Sequence, residues 1–129
     1  MTEFLTVADL LAIAGNATGG HPLVRDYGLL ESAVARPQAT VFGADAYPDI
    51  WAKAASLCHS LIRNHPLLDG NKRLAWVAMR TFLEINDVRP LRADVDDAEG
   101  FVLDIAAGEL DEVTEIAKRL RALADRGGE

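Results

Sequence analysis

Cysteine is almost missing from this 129-residue chain: Cys58 stands alone, which excludes an internal disulfide and any multi-cysteine metal centre. Positive charge is in short supply. Thirteen Lys and Arg face twenty Asp and Glu, and the net charge of −7 opposes direct contact with nucleic acid or an anionic membrane surface. No run approaches the roughly 18 apolar residues of a membrane span, and the N-terminus lacks a basic region followed by an apolar one. No internal repeat, low-complexity tract or linker divides the sequence. Aromatics are sparse at 6%, and Ala and Leu fill their place, a balance that favours helices. Together these absences predict one domain, residues 1–129, working in a reducing cytoplasm.

The hydrophobic pattern divides into six helical segments. Thr6 followed by Asp9 has the form of a capping box and opens a helix to about Ala17. Asp26 stands near the start of a second, Gly28 to Arg36, which Pro37 stops. Gly43 to Pro48 reads as a loop. From Asp49, Trp51, Ala54, Ala55, Cys58, Leu61 and Ile62 recur at helical spacing as far as about Asn64. Asn71 to Asn86 forms the next helix, apolar on nearly every face and so predicted to lie in the middle of a bundle. Val88 to Leu91 reads as an irregular connector. Asp96 or Asp97 caps a fifth helix through about Ala107, and Asp111 opens a sixth that Gly127-Gly128 ends. With no convincing set of strands, the fold class is all-α.

Between the third and fourth helices runs His65-Pro66-Leu67-Leu68-Asp69-Gly70-Asn71-Lys72-Arg73. Pro66 bars smooth continuation of the preceding helix, so His65 is delivered at a forced exit. Gly70 permits a second sharp change of direction. A histidine is suited to take the proton of an incoming hydroxyl, an effect worth about 10²- to 10⁴-fold in rate. Asp69 is suited to capping the next helix, to holding a magnesium ion beside phosphate oxygens, or to both. Gly70, Asn71 and Lys72 offer backbone N–H groups at a helix start, and the side chains of Lys72 and Arg73 add a point charge and a planar fork for phosphate. Cations in a first helical turn oppose the macrodipole by up to about 1 kcal/mol each, so a sequence that keeps them there has use for an anion. Arg63, two residues before His65, is an equal candidate for the phosphate site and for an exposed helix arginine. The run is not a P-loop, because the earlier glycine, the following Ser or Thr and the feeding strand are all missing.

The other conspicuous side chains read as structural. Cys58 lies in an apolar helical run, and Trp51 and Trp76 sit on apolar helix faces. His21 and His59 have no constellation of partners in the sequence around them.

The nine-residue string closely resembles the signature loop of the Fic/Doc superfamily, His-x-Phe-x-Asp/Asn-Ala/Gly-Asn-Lys/Gly-Arg. Gly19-Gly20, Arg25-Asp26 and Gly28-Leu29-Leu30-Glu31-Ser32-Ala33 are similar to the N-terminal block of its Doc branch, so the likeness covers nearly the whole chain. The resemblance implies a compact six-helix bundle with the active loop between two central helices. It implies His65 as general base, Asp69 as magnesium ligand, and Asn71, Lys72 and Arg73 as phosphate binders, with ATP as substrate. Fic members mostly transfer AMP and carry glycine at the place of Lys72 and a second arginine at the place of Trp76. Both differences are Doc-like and imply a toxin kinase that phosphorylates a threonine of elongation factor Tu and arrests translation. No Ser or Thr has Glu four residues later, so the inhibitory motif of many Fic members is missing. Restraint is then expected from a separate antitoxin protein, as in the Doc arrangement. Leu67 stands where the family carries phenylalanine, and Pro66 and Gly70 are more Fic-like. An AMP transferase and a catalytically idle binding module therefore stay open beside the kinase.

Overall fold

The computed structural model describes residues 1–88 and 92–127. Six α-helices follow one another: α1 (Val7–Thr18), α2 (Tyr27–Ala35), α3 (Ile50–Asn64), α4 (Asn71–Ile85), α5 (Val95–Ala106) and α6 (Val113–Gly127). The all-α class and the order of elements agree with the sequence pattern. Arg89 to Leu91 and Gly128 lie outside the described residues.

Short polar side chains set the helix starts. Thr6 Oγ1 accepts the Asp9 N–H at 3.1 Å while Asp9 Oδ2 accepts the Thr6 N–H at 2.8 Å, so the predicted capping box is formed. Asp26 caps α2 through the Leu29 N–H, and Asp49 caps α3 through the Ala52 N–H. For α5 the expectation needs correction: Asp94, not Asp96 or Asp97, is the cap, accepting the Asp96 N–H at 2.8 Å. Asp96 and Asp97 occupy the first turn instead, where carboxylates favour the macrodipole.

α3 is the axis of the bundle and packs against α2, α4, α5 and α6. Ala54, Ala55, Leu57, Leu61 and Ile62 are buried along it, and Cys58 beside them is sealed from solvent, which pushes its thiol up to about 12. The thiol is core filling, as its apolar setting implied. α4 buries Leu74, Ala78, Met79, Phe82 and Leu83, yet Trp76 and Val77 are only half-buried and Ile85 is exposed. The expectation that α4 is enclosed on nearly every face is therefore wrong: α5 covers one flank incompletely and leaves a groove.

The segment read as a loop at 43–48 also holds structure. Thr40–Val41 (β1) pairs antiparallel with Ala44–Asp45 (β2), with Thr40 opposite Asp45 and Val41 opposite Ala44. Phe42 at φ 52° and Gly43 at φ 82° form the turn, both left-handed as a two-residue hairpin requires. Lys53, almost fully buried on α3, ties this hairpin down through Asp45 Oδ2 at 3.1 Å and the Tyr47 carbonyl. Among the described residues, the other β contact is a bridge between Val24 and Leu67.

Candidate functional site

His65 is the C-cap of α3 and adopts φ 51°, ψ 61°. The proline after it forces the exit as expected, but into the left-handed region rather than the extended one. Such backbone is costly for a non-glycine residue, of order 1–3 kcal/mol, and persists only where its surroundings hold it. Arg25 supplies the hold: its Nε donates to the His65 carbonyl and its Nη2 to the Asn64 carbonyl, both at 2.7 Å. These are orphan acceptors at the end of α3. The chain before α2 then runs beside the loop, where the Arg25 and Asp26 N–H groups donate to the Pro66 carbonyl and the Leu68 N–H donates to that of Leu23. Sequence reasoning gave Arg25 no role; its contact bridges 40 residues and leaves no local signature.

Leu67 is 2% exposed and belongs to the main core cluster. Burial of a leucine side chain contributes about 1.5–3 kcal/mol, so the loop keeps an apolar anchor where the resemblance led to phenylalanine. A second clamp comes from Asn71, 8% exposed. Its Oδ1 accepts the Leu67 N–H at 2.8 Å and its Nδ2 donates to the Leu67 carbonyl at 2.9 Å. The amide is thus committed to the loop backbone. The side chain of Asn71 shapes the loop, so the group it has left to offer an anion is its backbone N–H, the one the helix start led us to expect.

Gly70, at φ 84°, is the N-cap of α4 and brings no side-chain cap. A Cβ there would meet nothing within 4 Å, so its left-handed backbone, not crowding, calls for glycine. Asp69 caps nothing on the helix; its Oδ1 accepts the Gly70 N–H at 2.9 Å. The first N–H groups of α4 therefore carry no side-chain cap, and an uncapped helix start is the arrangement that attracts anions. Lys72 and Arg73 stand exposed in the same turn, with no ion-pair partner among the described residues. His65 and Asp69 are exposed on the loop beside them. The exposed side chains of His65, Asp69, Lys72 and Arg73 thus make a polar rim along one short loop and the helix turn that follows it, with Gly70 at the bend and the Asn71 side chain turned into the loop.

Arg63 is turned elsewhere. Its Nη1 donates to the Ala106 carbonyl at 2.8 Å at the end of α5, and its Nε lies 3.9 Å from Asp111. A cation there satisfies the last carbonyls of a helix, so the bland alternative for Arg63 is the better one. His59 also has partners that the sequence did not disclose. Arg36 Nη1 donates to His59 Nδ1 at 2.8 Å, which leaves Nε2–H to donate to Asp111 at 2.8 Å. Asp111 was expected to open α6; it is instead held below the usual carboxylate range, chiefly by the hydrogen bond from His59. His21 is exposed and remote in role from this cluster.

A groove of about 600 Å³ runs from the rim between α4 and α5. Lys72 and Arg73 form part of its wall, followed by Trp76 and Arg80 of α4 and Arg92 from the segment before α5. Sequence reasoning placed Trp76 in the core and overlooked Arg80 and Arg92. Among the described residues, no helix is long and apolar enough to cross a membrane and no cluster of three or more His, Cys, Asp or Glu forms a metal centre.

Comparison with known proteins gives concordant results. Residues 4–83 match the model of the Fic/DOC family, a span that contains the whole loop and its clamps. The chain is 54% identical over 126 residues to a protein of Mycolicibacterium smegmatis called Toxin Doc, covering 96% of this chain and 95% of that one.

Proposed function

This chain belongs to the Fic/DOC family, and from that premise we propose that it is the toxin of a toxin–antitoxin pair, acting as a kinase on elongation factor Tu. It transfers the γ-phosphate of ATP to a protein hydroxyl and thereby arrests translation. The observation that carries this reading is the rim itself: an exposed histidine at the end of α3 beside an uncapped helix start that bears two cations with no ion-pair partner among the described residues.

The chemistry follows from those groups. His65 accepts the proton of the incoming hydroxyl as its oxygen attacks the γ-phosphorus; the bond to the bridging oxygen breaks and ADP departs. The free N–H groups of α4, with Lys72 and Arg73, hold the phosphate oxygens and stabilise the charge that spreads over them in transfer. Asn71 and Arg25 keep the loop in one geometry, which positions the histidine. Magnesium, when bound, neutralises phosphate charge, and Asp69 is the residue that would hold it. One exposed carboxylate beside a phosphate site suits an ion that takes few protein ligands and completes its shell with phosphate and water.

Lys72 distinguishes kinase from AMP transferase. Its bulk and charge stand where AMP-transferring relatives have glycine, which disfavours their nucleotide pose and favours the reverse one that presents the γ-phosphate. Gly70 and Pro66 are shared with the AMP-transferring branch and keep that chemistry as the second reading. We place the protein in the cytoplasm, with a cognate antitoxin protein as partner and no direct contact with nucleic acid. The deciding experiment incubates purified protein with elongation factor Tu and ATP labelled at either the γ- or the α-position. Label from the γ-position alone supports the kinase; label from the α-position assigns AMP transfer. If neither labels, and wild type and His65→Ala are equally harmless on expression, the enzyme reading fails.

A further inference from the structure

The loop exposes one side chain for which phosphate transfer has no use. Pro66 and Leu67 are buried, and His65, Asp69, Lys72 and Arg73 make the polar rim, but Leu68 stands 63% exposed among them. A single exposed leucine is ordinary and explains nothing. Leu68 is not single. Val24 and Leu67 are antiparallel bridge partners, and that register sets Leu23 directly opposite Leu68. The Leu68 N–H donates to the Leu23 carbonyl at 2.9 Å, and Leu23 is 67% exposed. Opposed residues in such a pair have Cβ atoms about 4.5–5.5 Å apart, so the two leucines make one apolar step.

Four properties define what the step can take. It is rigid: the Arg25 and Asp26 N–H groups hold the Pro66 carbonyl from one side, and the Asn71 amide holds Leu67 from the other. Neighbours on a strand point to opposite faces, so the packing of Val24 and Leu67 on the core commits Leu23 and Leu68 to solvent. It is uncharged: Arg25 is spent on the His65 and Asn64 carbonyls, and Asp26 on the start of α2. It is small, because two leucines fall far short of the roughly 800 Å² per partner that a stable protein interface buries. A second copy of the chain or a permanent partner needs much more, whereas a passing substrate segment does not. It is also close to the base. Leu68 lies three residues beyond His65, and three residues span at most about 11 Å.

We propose that Leu23 and Leu68 are specificity-determining residues for the acceptor protein: they seat a bulky apolar side chain carried within about three residues of the hydroxyl that gives its proton to His65. The proposal rests on the reading of His65 as the base at that hydroxyl, and it adds the chemical class of the segment that bears it. Neither leucine belongs to the phosphate-binding turn of α4, so the seat acts on recognition of the protein and leaves the transfer step alone. Because the step is already held in place, docking on it costs little ordering of this chain.

The test measures label transferred from ATP to elongation factor Tu by the full chain, at varied acceptor concentration. Leu23→Ser and Leu68→Ser should each raise KM for the acceptor about tenfold, through the lost burial of a leucine side chain. The kcat at saturating acceptor, KM for ATP and Tm should stay at wild-type values, and Leu68→Met should keep the wild-type KM for the acceptor as well. A fall in kcat at unchanged acceptor KM shows a loosened loop instead and overturns the proposal. Mass spectrometry then locates the labelled residue, and its bulky apolar neighbour in the acceptor is replaced by Ser. That change should raise KM about tenfold for wild type and add nothing further for Leu68→Ser, because the two side chains form one contact. Unchanged KM in both leucine variants, or a labelled hydroxyl with polar neighbours alone, overturns the proposal and spares the histidine reading, since wild type still transfers label. No transfer by wild type sinks both. A wild type that runs as a dimer on gel filtration and falls to a monomer in Leu23→Ser assigns the step to a second copy and likewise overturns the proposal.

Discussion

Two groups of cations in this molecule have opposite histories. Arg36 is spent on the fold: its Nε donates to the Tyr47 hydroxyl at 2.9 Å, and its Nη1 to His59 Nδ1 at 2.8 Å and Ser60 Oγ at 3.0 Å. Arg63 is spent likewise on the end of α5. Lys72 and Arg73 are instead held exposed at the start of α4, without an ion-pair partner among the described residues and against the helix macrodipole. A cation that satisfies carbonyls and hydroxyls of its own chain works as a brace. One kept where its own chain opposes it is reserved for something from outside.

The contrast predicts that changes at the rim alter activity without altering stability, and that changes in the bracing do the reverse. The largest effect falls on His65→Ala, which should lower the rate of phosphoryl transfer by about 10²- to 10⁴-fold. Its thermal unfolding should stay close to wild type, because the side chain is exposed; a large fall in Tm would move His65 to the structural side. Asn71→Ala crosses the divide. It leaves the N–H and carbonyl of buried Leu67 without partners, at about 1–3 kcal/mol for each group left unsatisfied, and releases the loop. Chemical denaturation should show that loss together with lost activity, and full activity would show that the clamp is dispensable. Gly70→Ala should cost about 1–2 kcal/mol from left-handed backbone alone, because the added methyl meets open space.

The smallest effect is one of pH. The folded Asp111 carboxyl titrates below its unfolded value of 3.8, so its contribution to stability is complete above that value and is lost as pH falls through the folded one. The stability gap between wild type and Asp111→Asn should therefore narrow as pH falls below 3.8. A gap that did not narrow there would contradict the His59–Asp111 assignment.

How much of this was legible beforehand depended on sequence distance. The capping box at Thr6, the place of Asp26 at the start of α2 and the spans of α3 and α4 declare themselves within a few residues of chain, and the structure has them where the pattern indicated. The polar loop was legible for the same reason, since His65 to Arg73 are contiguous. What stayed hidden is long-range. Arg25 reaches across 40 residues to His65, and His59 across 52 to Asp111, so both looked partnerless or idle in the sequence. The hairpin escaped notice because its strands are two residues each and its turn places Phe42, not Asn or Gly, at positive φ. Asn71 shows a third case: an amide at a helix start suits phosphate chemistry, but a bidentate hold on Leu67 is visible only once the loop has folded back.

The contrast between reserved and spent cations is tested most directly by thermal unfolding with and without magnesium ATP. The proteins to compare are wild type, the double variant Lys72→Met with Arg73→Met, and Arg36→Met. ATP at a hundred times its Kd should stabilise wild type by about 2.7 kcal/mol, several degrees of Tm. The double variant should unfold at or slightly above the wild-type temperature without ATP, since two unfavourable first-turn charges are gone, and should gain nothing from ATP. Arg36→Met should unfold lower but keep the full ATP-dependent gain. An ATP shift that persists in the double variant, or that disappears in Arg36→Met, would contradict the assignment of these cations.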